Sequence, residues 1–146
     1  MDQSEKLNLI RKIQVLESKC TREKEILISL DDYFRGNDEN HCIILANTSV
    51  NLSSKEFEKF LRDLKRKDNV MEVFIRFYDY EDAIDYEDAW INSDTVFVIT
   101  SVDIRKVKSW FQELEPSSVN EETCLNEFVN LPYIPEGYRI INVWWD

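Results

Sequence analysis

Apolar residues recur along the first part of the chain at helical spacing. Leu9, Ile13, Leu16 and Cys20 fall at i, i+4, i+7 and i+11, with Ile10 beside them, which predicts a helix over residues 4–20. Ser4 is placed to cap its start. The seam continues through Leu27, Leu30 and Phe34 at heptad spacing and is broken by Glu23, so one long helix is an alternative. The preferred reading is a break at 21–24, an extended stretch at 25–29 and a short helix in LDDYFRGN. Ser29 and Asp32 supply its cap and acidic start, and Gly36 and Asn37 its stop.

Beyond residue 40 the pattern shifts. HCIILAN (41–47) is short, β-branched and apolar, as a buried strand is. A helix follows, with Ser53 and Glu56 at capping-box spacing and Phe57, Phe60, Leu61 and Leu64 on one stripe. VMEVFIRFYDY (70–80) alternates: Met71, Val73, Ile75 and Phe77 face one way, Glu72, Phe74, Arg76 and Tyr78 the other. DTVFVITS (94–101) predicts a second buried strand. Ile104, Val107, Phe111 and Leu114 mark the apolar side of a helix that Pro116 ends. Residues 117–137 read mostly as loop, with a short helix in EETCLNEFV. A last strand covers 138–145.

The order from residue 41 is βαββαβ, the pattern of a two-layer, ferredoxin-like α+β sandwich. The expectation is one domain, 1–146, with a helical extension at 1–40 and the sandwich at 41–146. In the last strand Arg139, Ile141, Val143 and Trp145 share one face; Tyr138, Ile140, Asn142 and Trp144 share the other. Trp145 is expected in the core against the helices bearing Phe57, Phe60 and Phe111. The second face is expected to be covered by the N-terminal helix or open to a partner, with Trp144 as its indicator.

Charge then changes the picture. The formal net charge is −11, yet residues 1–76 hold 14 acidic and 14 basic side chains, while 77–138 hold 14 acidic and 3 basic, Arg105, Lys106 and Lys108. Such a field repels nucleic acid and anionic membrane and favours a basic partner. Lys55, Lys59, Arg62, Lys65, Arg66 and Lys67 share one helix with Glu56, Glu58 and Asp63, an ordinary solvated helix face. Phe74 and Tyr78 could form an RNA-stacking platform on an open sheet, but no basic-aromatic motif accompanies them. No apolar stretch approaches the ~20 residues of a membrane span, and the N-terminus shows no apolar run with a cleavage site. Cys20, Cys42 and Cys124 are odd in number and far apart, which suits a reducing cytoplasm.

Three stretches together carry a family likeness: SLDDYFRGND (29–38), WINSDTVFVITS (90–101) with VKSWFQELEP (107–116), and GYRIINVWWD (137–146). On these the chain resembles a family of short, acidic, uncharacterised bacterial proteins. They share a Ser-Leu-acidic-acidic-aromatic-Phe-x-Gly-Asn segment and a terminal Trp-Trp-Asp. This chain has Tyr33 and Phe34 in that segment and lacks the glycines such relatives carry before CIILAN. The resemblance implies a bacterial, cytoplasmic setting and carries over no catalytic residue.

The chemistry available is limited. The block DYEDAIDYED puts Asp79, Glu81, Asp82, Asp85, Glu87 and Asp88 within ten residues without a basic one. Carboxylates suit Ca²⁺ or Mg²⁺, but neither the alternating pattern nor the turn glycine of an EF-hand loop is present. A solvated loop is the plain reading, and a docking surface the functional one. Tyr80, Tyr86 and Trp90 favour the latter, since aromatic anchors inside a charged rim are what protein interfaces use. Paired carboxylates for glycosidase-type chemistry lack any sign of a pocket. His41 adjoins Cys42, but neighbours on a strand point to opposite faces and cannot act as base and nucleophile. With glycines only at 36 and 137, no phosphate-cradling loop or nucleophile elbow can be built. The favoured reading is therefore a non-enzymatic acidic protein-binding domain, an inhibitor or immunity-type protein for a basic partner. Its surface is Asp79, Tyr80, Glu81, Asp82, Asp85, Tyr86, Glu87, Asp88, Trp90 and Trp144, and it needs no cofactor. The alternatives are a homodimer through residues 4–34 and a carboxylate enzyme using a divalent ion.

Overall fold

Five strands form one antiparallel sheet in the computed structural model, which describes residues 1–20, 22–38, 47 and 50–146. In chain order the elements are α1 (Gln3–Glu17), β1 (Leu27–Ser29), α2 (Leu30–Phe34), α3 (Ser54–Lys65), β2 (Val70–Arg76), α4 (Glu81–Asp85), β3 (Thr95–Thr100), α5 (Ile104–Phe111), β4 (Ser118–Glu122) and β5 (Arg139–Trp144). Single 3₁₀ turns follow α5 at Gln112–Leu114 and β4 at Leu125–Glu127. The spatial order is β1-β2-β3-β5-β4. Because β5 pairs antiparallel with both β3 and β4, those two run parallel, and β3, α5 and β4 make a split βαβ unit.

The expected two-layer α+β class holds. The expected ferredoxin-like βαββαβ order is not what the described strands establish. The strand at 41–47 falls, apart from Asn47, outside the described residues. Among the described strands both edges are formed by ones that the apolar pattern left as an extended stretch and a loop, β1 and β4. Residues 1–40 are also no appendage: β1 belongs to the sheet, and Leu9, Ile10, Ile13, Leu30 and Phe34 lie in the main core.

That core fills the space between one sheet face and the helices. Val73 and Ile75 of β2, Val96 and Val98 of β3 and Ile141 and Val143 of β5 meet Phe57, Leu61 and Leu64 of α3 and Val107 and Phe111 of α5. Alternation places Trp145 on this side, as expected. It is 1% exposed, edge-on to Phe111 at 6.0 Å, and its indole Nε1 donates to the Leu114 carbonyl at 2.8 Å. Met71 departs from strict alternation. The β2–β3 register shifts between Val70 and Glu72, and Met71 packs with the opposite face.

The opposite face is neither bare nor covered by α1. A strap from the 3₁₀ turn after β4 to the start of β5 crosses it. Phe128 is buried there with Phe97, Ile99, Ile140 and Leu27, while Leu131 and Ile134 pack alongside. Phe97 and Phe128 meet edge to face at 5.2 Å. Phe74 lies among the residues packed beneath the strap, so it is not the open stacking platform that RNA binding would need.

Local chemistry sets the helix starts. Asp2, not Ser4, caps α1, accepting from the Ser4 and Glu5 amides at 3.0 and 3.1 Å. Ser29 caps α2, and Ser53 with Glu56 closes a full capping box on α3. Gly36 ends the α2 region at φ +76°, and its carbonyl accepts from the Asp2 amide at 2.9 Å. A Cβ there would lie 2.7 Å from Asp2 Cβ and 3.0 Å from Glu5 Cβ, so both the turn and the seating of α1 require glycine.

Candidate interaction surface

The acidic block occupies the link between β2 and β3, and its backbone is fixed at three places. Asp79 and Asn92 form an antiparallel bridge, in which the Asn92 amide donates to the Asp79 carbonyl at 2.9 Å. The Asn92 side-chain Nδ2 donates to Asp79 Oδ1 at 3.0 Å and Asp82 Oδ2 at 3.5 Å. Ala83 is buried in the main core and seats α4 on its one small apolar side chain. The third place is α1. Lys6 Nζ donates to the carbonyls of Tyr86 at 3.0 Å, Glu87 at 3.3 Å and Ala89 at 3.0 Å, and the residue is only 3% exposed. Gln3 Nε2 adds a bond to the Glu87 carbonyl at 2.8 Å.

At the other end of α1 the Tyr80 hydroxyl donates to Glu17 Oε1 at 2.7 Å, and the ring stacks on Phe77. That bond to Glu17, together with burial and the carboxylate's charge, holds the Tyr80 phenol above its usual range. Gln3, Lys6, Ile10, Ile13 and Glu17 follow one helical stripe, so a single face of α1 supports residues 80–89 at both ends.

The sequence-derived surface divides under this geometry. Glu81, Asp82, Asp85, Tyr86, Glu87 and Asp88 are exposed, and Asp79 and Tyr80 are half-buried. Trp90 corrects the expectation: it is 1% exposed and belongs to the main core, so no partner can reach it as an anchor. Trp144 is half-buried at the end of β5, its Nε1 donating to Asp94 Oδ2 at 3.2 Å. Asp94 Oδ1 in turn accepts from Arg76 at 3.4 Å and from Thr95 Oγ1 at 2.8 Å. Among the described residues no hydrogen bond or ring contact joins Trp144 to residues 79–88. Tyr78, just before the acidic segment, and Ile84 within it are both more than half exposed.

Sequence reasoning missed Lys6, Asn92 and Ile84, and it weighed Tyr78 only as an RNA-stacking residue. Lys6 had a signal, because it falls on the Ile10 and Ile13 stripe, where a cation must find partners. Asn92 had none, since its bridge joins segments that only the fold brings together.

Among the described residues none of the six carboxylates of 79–88 forms an ion pair. No three His, Cys, Asp or Glu side chains among the described residues come together as a metal would need.

The model of the family described as "Uncharacterized protein YfbO family" matches residues 4–143. The chain belongs to that family. Membership bears out the resemblance read from the sequence to an uncharacterised bacterial family. A similar relative is the uncharacterized protein YfbO of Escherichia coli (strain K12), 26% identical over 121 residues, which cover 82% of each chain. No solved structure matches. The family ascribes no activity to its members, so function rests on the geometry. No described helix is long and apolar enough to cross a membrane.

Proposed function

We propose that this YfbO-family protein is a non-enzymatic binding protein whose 79–88 face receives a basic segment of a protein partner, in the manner of an inhibitor or immunity-type protein. One observation carries the reading: six carboxylates without ion pairs among the described residues stand on a backbone pinned by Asn92, Ala83 and Lys6. A surface built only for solubility needs no such fixing. The backbone beneath the carboxylates is held, so less backbone order is lost on docking. Exposed Tyr78, Ile84 and Tyr86 add apolar contact area inside the charged rim. The acidic field speeds encounter with a cationic surface and fades with salt. We also infer a reducing, cytoplasmic setting, which the free thiols of Cys20 and Cys124 support.

The test compares retention of basic proteins on the immobilised chain at low and high ionic strength. A partner of this surface binds at low salt and is released at high salt. The D82N/D85N/E87Q/D88N variant loses that retention, whereas substitution of Lys59 and Asp63 on α3 leaves it intact. Retention unchanged by the fourfold variant removes the proposal.

A further inference from the structure

The sheet treats its two edges differently. β1 is three residues long and its outer side is occupied. Asn130 closes that side at Leu27, its Oδ1 accepting from the Leu27 amide at 2.9 Å and its Nδ2 donating to the Leu27 carbonyl at 2.8 Å. Glu25 bridges to Phe128 just before it. β4 pairs with β5 over five consecutive residues without a register shift, and it holds no proline or lysine. Among the described residues nothing pairs with its outer side. Natural sheets blunt such edges or use them, because a regular free edge is a template for another strand. Beside it, α5 and β4 bound an open groove of about 550 Å³, with Arg105, Lys108 and Ser109 on α5, Gln112 on the turn after it and Glu115 in the link to β4.

We propose that β4 is a self-association edge, at which two copies of the chain pair β4 to β4, antiparallel, about a two-fold axis at Asn120. Charge selects both occupant and register. With the axis at Asn120, Ser118 faces Glu122 of the partner subunit and Val119 faces Glu121 of the partner subunit, so no two glutamates oppose each other. An axis at Glu121 sets that residue against itself. An axis at Val119 places Glu122 against Pro116 of the partner subunit, which has no amide to give the ladder.

The chosen register also brings opposite charges together. Val119 and Glu121 pair with Val143 and Ile141, both in the helix-side core, so both side chains lie on the α5 side of the sheet. Glu121 of the partner subunit, opposite Val119, then meets the groove where Lys108 stands. Lys108 forms no ion pair among the described residues. Two-fold symmetry makes the contact twice. The association lies at the sheet edge farthest from β1 and β2, apart from the acidic segment, and does not depend on the function proposed above.

Sedimentation velocity of the full chain over a concentration series tests it. The expected result is a concentration-dependent monomer–dimer equilibrium. Lys108→Glu or Glu121→Lys alone weakens it by about tenfold or more, since each exchanges two attractions for two repulsions. The K108E/E121K double variant restores it, which a folding defect would not do. The D82N/D85N/E87Q/D88N variant dimerises like the wild type, so loss of partner binding and loss of dimer are separate readouts. A wild type that stays monomeric to high micromolar concentration overturns the proposal. So does a dimer indifferent to both single changes, or a charge swap that fails to restore it.

Discussion

Two charged surfaces of this protein differ in what their charges already do. On α3 and the turn after it nearly every basic residue has a partner. Lys59 pairs with Asp63 at 2.7 Å, Arg66 with Asp63 at 3.0 Å and Lys65 with Glu72 at 3.2 Å. Arg62 reaches Glu58 at 2.7 Å and Asp31 at 2.9 Å, and Lys67 lies over the Trp110 ring. That surface spends its charges on itself and joins α2 to α3. On residues 79–88 the carboxylates have no ion pairs among the described residues, and it is the backbone beneath them that is held. The same residue types thus serve cohesion in one place and leave a field in the other. Charge count alone does not separate the two; partner geometry does.

The strongest way to break the contrast is at the support of the acidic segment. Lys6→Met keeps the aliphatic stem but removes the donor shared by the Tyr86, Glu87 and Ala89 carbonyls. Leaving such acceptors without a donor costs about 2–3 kcal/mol. The expected outcome is a lower denaturation midpoint, with hydrogen exchange fastest at residues 86–92. An unchanged midpoint and unchanged exchange would show that the ammonium is not what fixes the segment. Arg62→Ala probes the other surface and has a smaller effect. Arg62 and Glu58 are each about one-third exposed and Asp31 is solvated, so a loss of about 1 kcal/mol is expected in urea unfolding, with no change in retention of a basic protein.

Legibility in the sequence follows periodicity. The capping box and apolar stripe of α3, the alternation in β5 and the cap of α2 were all readable, because each is a local rule with a fixed spacing. The split between Trp144 and Trp145 follows from alternation alone. β4 was not readable: SVNEE has one apolar residue and pairs on one side only, so it carries no buried-strand signature. The strap was opaque for a related reason, since Phe128, Leu131 and Ile134 cover the sheet from irregular backbone that imposes no period. Trp90 misled because it adjoins an acidic block in sequence yet points into the core. The candidate site was legible as a charge cluster, whereas its fixing by Lys6 and Asn92 required contacts between residues 10 to 83 positions apart.

The finest distinction between the surfaces is their response to acid. The Arg62 guanidinium, hydrogen-bonded to Asp31, holds that carboxyl below its ordinary value. Lys59 does the same for Asp63 through a hydrogen bond and its charge, with Arg66 adding to it. A carboxyl whose folded value lies below its unfolded one contributes stability that is present above the unfolded value and lost as pH falls through the folded one. The α3 pairs therefore stabilise the fold at neutral pH and lose that contribution as pH falls from the ordinary aspartate value through the lowered one. Each pair is solvated, so the slope is shallow and salt reduces it further. Denaturation midpoints measured from neutral pH down through that range should fall less steeply for Asp31→Asn than for the wild type. Arg62→Ala should flatten the same limb, because it removes the cation that lowers Asp31. If both variants track the wild-type slope, the pairs on α3 are geometric neighbours without energetic coupling, and the contrast with the 79–88 segment loses its energetic basis.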